Sequence, residues 1–153
     1  MRKLLVSLSL LGGIAVASAH AGFKHPAPLA AEVMVIKKPQ IQVDRPATHS
    51  AKAFMMLHNK GHRTEELIAV NSPVATQTLL KRAVYKGVRT VSKIIIYPET
   101  HKPLQADNVY IRLNGLQQIL HPGDSVPLLL IFADGSSLTV RATVNLPAPA
   151  GTR

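Results

Sequence analysis

The sequence contains no cysteine and no tryptophan, and aromatic residues make up only 4% of its 153 residues. The lack of cysteine excludes disulfide bonds, zinc-ribbon and iron–sulfur sites, thiol catalysis and a lipid-modified cysteine in this sequence. Acidic residues are also scarce. The sequence has 8 aspartates and glutamates against 18 lysines and arginines, and the formal net charge is +10. Such a charge favours an anionic partner such as an acidic protein or a lipid surface. Aromatic and basic residues do not alternate as in a base-stacking platform, so we expect no nucleic acid partner.

The first 21 residues have the pattern of a secretory signal peptide. Arg2 and Lys3 form a charged start, and an apolar segment follows over residues 4–16. This segment is too short to span a bilayer. We therefore expect residues 1–21 to be a signal peptide and the protein to be exported to the periplasm without a membrane-spanning segment.

Small residues place signal cleavage after Ala19 or after Ala21. Cleavage after Ala19 would leave His20 as an N-terminal histidine, whose amine and ring together bind copper, and the two positions remain alternatives. Residues 22–31, which include His25, are rich in proline and alanine and are expected to form a flexible N-terminal arm.

Short segments with alternating apolar residues, separated by turn residues, predict an all-β domain over residues 32–144. We expect an antiparallel β-sandwich of about eight or nine short strands, with a Pro/Ala-rich tail over residues 145–153. Two edge strands are expected on either side of Pro39, and a further strand is expected over Val88–Tyr97. Hairpins are expected around Asn59-Lys60-Gly61 and around Asp134-Gly135, because these residues tolerate the backbone of a tight turn.

The central strand before Asn59 places Met56 and His58 on one face, since residues two apart on a strand point the same way. Thioether and imidazole groups are ligand types that hold Cu(I). The alternative is that both are structural residues, a core methionine and a histidine near a strand end. His62 lies four residues after His58, but Gly61 interrupts the segment and the glutamate of a zinc-protease helix is missing.

The remaining histidines and the carboxylates give no pattern that is typical of an active site. The histidines in Pro-rich loops or turns are expected to be solvated; they are His25, His49, His101 and His121. Neither a Ser–His–Asp signature nor a glycine-rich phosphate loop after a strand is present. We expect that the protein is not an enzyme.

Six short motifs occur in order along the chain, and together they resemble a known family. They are Leu57–Gly61, Leu67–Ala75, Gly87-Val88, Leu113–Leu116, Pro122–Asp124 and Leu130–Gly135. From Ile41 to Val144 this order resembles the PCu(A)C family of periplasmic copper chaperones. The resemblance implies a small exported protein with a cupredoxin-like β-sandwich of Greek-key topology. It also implies handling of Cu(I), or its delivery to respiratory oxidase assembly.

The family binds Cu(I) through two histidines and two methionines, one pair of which has the spacing His-x-Met. The resemblance places these positions on Lys81, near Val91, and on Tyr110 and Arg112. None of the four is a Cu(I) ligand of that kind, and two fixed cations repel Cu⁺. The sequence therefore predicts that the family copper site is absent here.

Two functions remain after this comparison, and against both stands the alternative that the basic residues form only a solvated surface. In the first, copper is bound elsewhere, either at Met56 with His58 or at the arm with His20 or His25. The expected partner is then a copper-acceptor protein. The alternative is a metal-free binding or adaptor module for an anionic periplasmic partner. Its basic patch consists of Lys81, Arg82, Tyr110 and Arg112, because arginine suits anion recognition through its planar donors. We expect a monomer in either case.

Overall fold

The computed structural model describes residues 26–45 and 49–145. The predicted signal peptide, His20, His25 and the tail beyond Asn145 lie outside the described residues. The described elements are α1 (Ala30–Val33), β1 (Met34–Val43), β2 (Ser50–Asn59), β3 (Glu65–Asn71), β4 (Ala75–Val84), β5 (Gly87–Thr90), β6 (Ile94–Ile96), β7 (His101–Leu104), β8 (Val109–Leu116), β9 (Ser125–Phe132) and β10 (Ser137–Asn145).

The strands follow one hydrogen-bonded path in the order β5-β4-β8-β2-β1-β10-β9-β3-β6, and β7 pairs with β2. Contacts between β3 and β4 and between β2 and β6, which are distant in this order, show that the path folds over into two facing layers. The all-β sandwich prediction is confirmed. The described strands number ten rather than eight or nine, and the pairing of β1 with β10 is parallel, so the sheet is mixed rather than purely antiparallel.

The core lies between the two layers and is built from the alternating apolar residues of the strands. In β2 every odd-numbered residue is buried and the even-numbered residues after Ser50 are half-buried. The largest side chains without solvent exposure include Phe132, Leu57, Ile94 and Ile111. Burial of each such side chain stabilises the fold by about 1.5–3 kcal/mol relative to an exposed position.

The prediction of a central hairpin around Asn59 is wrong. β2 pairs with β1, β7 and β8, whereas β3 pairs with β6 and β9, so the connection passes from one layer to the other. Asn59 holds this connection: its side-chain amide donates to the carbonyls of Arg63 and Ile96, and its carbonyl accepts from the Gly61 amide at 2.9 Å. A Cβ at Gly61 would lie 3.0 Å from Val33, so close packing against that side chain explains the glycine.

Two other strand predictions need correction. The segment around Pro39 is one interior strand, β1, between β2 and β10, with a register shift between Lys37 and Gln40. This bulge accommodates a proline that has no amide to donate to the ladder. The predicted strand Val88–Tyr97 is divided into β5 and β6, which pair with strands of different layers.

The last predicted hairpin is confirmed, since β9 and β10 pair antiparallel across Asp134-Gly135. Gly135 has a φ of 84°, which favours glycine. The Asp134 carboxylate accepts hydrogen bonds from the hydroxyl and amide of Ser136, and it also accepts from the Ala30 amide at 2.7 Å. This last contact fixes the short helix α1, which begins within the segment predicted as a flexible arm.

Candidate functional site

The sequence-predicted site residues lie mostly on one surface, which we call the outer face: the solvent-side face of β4, β8, β2 and β7. The even-numbered residues of β2 point to this face, including Met56 and His58, as predicted from the alternation. Tyr110 and Arg112 of β8 lie on the same face, because Arg112 pairs with Lys52 of β2. The outer face therefore has two ends, one at Lys52 and the other at His58, about 20 Å apart along β2.

At the His58 end, the ring of His58 stacks on the ring of His101. The two residues are direct partners in the β2–β7 ladder, and the ring centroids are 3.8 Å apart with an interplanar angle of 17°. We call these two residues the histidine pair. His101 is exposed, as the sequence predicted, but it is the first residue of β7 rather than a loop residue.

The Nδ1 atom of His58 is buried and has no hydrogen-bond partner among the described residues. Burial lowers the pKa of His58 below 6.5, and the charges of His101, Lys37 and Lys60 lower it further. Both effects favour the neutral form of the His58 ring. A neutral imidazole with an unused nitrogen is the form that binds metal ions.

Met56 lies two residues before His58 on the same face and pairs with Pro103 of β7. The histidine pair and Met56 thus supply two imidazoles and one thioether, a donor set that fits Cu(I). Parallel rings at 3.8 Å do not aim their nitrogens at one point. Coordination by both histidines therefore requires a change in the side-chain torsions of at least one ring.

At the Lys52 end, the outer face carries charged residues that pair with one another. Asp44 accepts from Arg112 at 3.0 Å, from Lys52 at 3.3 Å and from the Ser50 hydroxyl at 2.9 Å. We call Asp44, Ser50, Lys52 and Arg112 the Asp44 cluster. Beside it, the Tyr110 ring is only 5% exposed, and the ammonium of Lys52 lies 5.9 Å from its centroid.

The structure brings some members of the predicted basic patch together and separates another. Lys81 pairs with Tyr110 in the β4–β8 ladder and donates to the Thr90 hydroxyl at 2.7 Å. Arg82 follows Lys81 directly on β4, so its side chain points to the opposite face. Val91, near the remaining family ligand position, donates its amide to the Leu80 carbonyl.

Two residues that matter at this surface were missed in the sequence. Asp44 belongs to no motif of the sequence, yet it organises the cluster around Arg112. His101 was set aside because it follows Pro98 and precedes Pro103, which is a loop signal. Pairing between β2 and β7 brings it to His58, and no local sequence signal contains that pairing.

The residues from 26–45 and 49–145 contain no group of three or more histidine, aspartate or glutamate side chains arranged to hold a metal ion. A cavity of about 460 Å³ is lined mainly by apolar side chains, among them Leu116, Ile119 and Leu120. In the same part of the chain, no helix has the length and apolar character needed to cross a membrane.

Comparison with solved structures supports the predicted fold. The copper-bound PCuAC domain from PmoF2 is 18% identical, with a TM-score of 0.69, and the match covers 78% of this chain and 97% of that domain. The apo PCuAC domain from PmoF1 is 15% identical, with a TM-score of 0.66 and coverages of 75% and 95%. The solution structure of Cu(I)-DR1885 from Deinococcus radiodurans is 27% identical, with a TM-score of 0.62 and coverages of 84% and 85%.

Comparison with protein families gives the membership of the chain. No curated protein matches it. Residues 34–144, most of the chain, match the family described as "Putative lipoprotein LpqE-like". The sequence resemblance to PCu(A)C proteins is thereby confirmed. The chain belongs to the LpqE-like family and is a divergent, copper-chaperone-like protein of the PCu(A)C type.

Proposed function

We propose that this chain is an exported copper-handling protein that binds Cu(I) at His58 and passes it to a copper-acceptor protein. The observation that supports this most is the buried, unpartnered Nδ1 of a neutral His58 stacked on His101. Met56 supplies a soft thioether on the same face. Cu(I) is the ion to be transferred. The protein holds the donor side chains in place and limits the access of water to the bound ion.

A position away from the family site is supported by the chemistry of the outer face. The residues at the family positions are Lys81, Val91, Tyr110 and Arg112, and Arg112 is engaged with Asp44. The Met56-x-His58 pair instead has its donors two residues apart on one strand face. This is the arrangement of the family His-x-Met pair in reversed order on the neighbouring strand.

Export is part of the proposal and has two supports. Residues 1–21 have the pattern of a signal peptide. The matched family is described by the word lipoprotein, a class of exported proteins. A protease-protection assay in intact cells and spheroplasts tests it: degradation of the protein by external protease only after the outer barrier is opened is the expected outcome.

The alternative, an adaptor for an anionic partner at the basic patch, has less support from the geometry. Asp44 already occupies the guanidinium of Arg112, and Tyr110 is buried. Only Lys81 of the outer-face members remains for an external anion, because Arg82 points to the opposite face. We therefore favour copper handling.

The test is a titration of the purified protein with Cu(I) against a chromogenic Cu(I) chelator. We expect one Cu(I) per chain. The His58→Ala variant should bind Cu(I) at least about 100-fold more weakly, because removal of a ligand costs at least as much as removal of its supporting groups. His101→Ala and Met56→Leu should each weaken binding by about tenfold or more.

Two controls separate this site from other copper ligands. His121→Ala removes an exposed histidine beside Asp124 and should leave the affinity unchanged. Deletion of the residues before Ala31 removes His20 and His25. If that deletion abolishes binding and His58→Ala does not, the site belongs to the arm. If wild-type protein retains no Cu(I), the proposed copper function is wrong.

A further inference from the structure

The hairpin formed by β4 and β5 projects from the edge of the sheet. β5 is the terminal strand of the path, and all four of its residues are exposed. Tyr85 and Lys86 form the two-residue turn, because Val84 and Gly87 are paired on either side of it. We call residues 82–89 the β4–β5 hairpin.

The tip of this hairpin exposes apolar side chains. The exposed fractions are 97% for Tyr85, 51% for Val88 and 40% for Val84. Single exposed apolar residues are common on proteins, but three within five consecutive positions form a contiguous apolar tip. Val88 is paired with Ala83, so Val84 and Val88 lie on opposite faces of the hairpin. A partner must therefore surround the tip to cover both valines.

The stem of the hairpin carries cations that lack counter-ions. Arg82 and Arg89 are direct partners across the β4–β5 ladder, a placement in which like charges destabilise the pair. Among the described residues neither arginine forms an ion pair, although Asp107 lies in the adjacent turn. The ammonium of Lys86 lies 5.9 Å from the Tyr85 ring, above the tip.

The surrounding sequence reinforces this charge. Residues 67–98 contain five lysines and arginines and no carboxylate. Of these five, Lys93 is paired with Glu66 at 2.7 Å. The two opposed arginines therefore present an unneutralised positive charge that complements an external anion.

We propose that the β4–β5 hairpin docks on an anionic phospholipid surface. Tyr85, Val84 and Val88 enter the interfacial region, where amphipathic aromatic rings are favoured. Arg82 and Arg89 then bind lipid phosphates, for which their planar donors are suited. A fluid interface can envelop both faces of a protruding tip, whereas a flat protein surface covers only one. This inference is independent of the proposed copper function.

The first test uses the protein purified after export, without the predicted signal peptide, with vesicles of equal parts phosphatidylglycerol and phosphatidylcholine, and with vesicles of phosphatidylcholine alone. Binding is measured by co-sedimentation. We expect binding only to the anionic vesicles. Neutralisation of one basic residue at a membrane surface weakens binding about fivefold, so the Arg82→Gln/Arg89→Gln variant should bind about 25-fold more weakly.

A matched control keeps the same net charge as this variant. Arg63→Gln/Arg141→Gln removes two exposed arginines from other parts of the surface and should stay within about twofold of wild type. An equal loss in the control variant would show that total charge, not the hairpin, causes binding. Absence of wild-type binding to anionic vesicles would also overturn the proposal. So would a protein that binds an acidic polypeptide (polyglutamate as probe) through the hairpin but does not bind vesicles.

The second test reports on the tip itself. The chain has no tryptophan, so Tyr85→Trp introduces a single fluorescent reporter. Its emission should shift to shorter wavelength with anionic vesicles, because the ring leaves water. Tyr97→Trp, at another exposed position, is the control and should not shift. Equal responses from the two positions would contradict insertion of the hairpin tip.

Discussion

The two ends of the outer face hold polar side chains in opposite states. In the Asp44 cluster, every charge has a partner: one carboxylate accepts from an arginine, a lysine and a serine. At the histidine pair, the aromatic rings are in contact but a buried nitrogen has no partner. Satisfied polar groups make a rigid surface, whereas an unsatisfied buried donor or acceptor costs free energy, which a water molecule, an ion or a ligand at that atom would recover.

On the proposal that copper is bound away from the family's ligand positions, this contrast gives the two ends different roles. Of the residues predicted to stand at those positions, Arg112 is engaged in an ion pair with Asp44. The soft donors lie farther along the neighbouring strand, at Met56 and His58. The fold constrains which residues share a face, and the side chains decide what that face binds.

The largest difference expected between the two ends is in how substitutions there change the Cu(I) affinity of the protein. His58→Ala should lower the Cu(I) affinity by at least about 100-fold, because it removes a neutral imidazole donor. Arg112→Ala should leave the affinity within about twofold, because the guanidinium is no copper ligand. Chelator competition measures both. An equal loss in the two variants would remove the distinction between the ends.

Stability should depend on the Asp44 cluster. Asp44→Asn removes the charge that Arg112 and Lys52 share, and the side chains of Asp44 and Arg112 are only 18% and 28% exposed. We expect the free energy of unfolding to fall by about 1–2 kcal/mol. Urea unfolding measures this, with Asp107→Asn in an exposed turn as a control that should change stability by less than about 0.5 kcal/mol.

Asp134 provides a second carboxylate with which the Asp44 result can be compared. Burial by itself raises the pKa of Asp134, but hydrogen bonds from the Ala30 amide and from Ser136 outweigh it and lower the pKa below 3.8. Because the folded-state pKa is depressed, this carboxylate stabilises the fold above pH 3.8 and the contribution is lost as pH falls through the folded-state value.

Asp134→Ala should therefore lower the free energy of unfolding at pH 7 by about 1 kcal/mol, since α1 loses the acceptor for its first amide. The variant should also lose less stability than wild type on acidification below pH 3.8. Thermal unfolding across pH measures this. A steeper acid loss in the variant would contradict the assignment.

The smallest effect is expected at Lys37, which pairs with Met56 across the β1–β2 ladder. Its charge is one cause of the lowered pKa of His58. Lys37→Gln should therefore raise that pKa while leaving stability nearly unchanged. NMR titration of the His58 ring in copper-free protein measures the shift. An unchanged or lower pKa would show that Lys37 does not act on this ring.

The sequence by itself determined the all-β class, the alternation of β2 and the last hairpin. These features depend on a period of two residues and on turn residues such as Asp134-Gly135, which act over a few positions. The six ordered motifs also identified the PCu(A)C resemblance, and the residues that it places at the family's ligand positions stay a prediction.

Only the tertiary structure decided which strands are neighbours, and with this the composition of the site. A turn sequence such as Asn59-Lys60-Gly61 is compatible with a hairpin or with a crossing between layers. The crossing is selected here by the packing of Gly61 against Val33 and by the bonds of Asn59 to Arg63 and Ile96. The contacts of His58 with His101 and of Asp44 with Arg112 join residues more than 40 positions apart. Such contacts depend on the pairing of whole strands, which no local pattern of residues specifies.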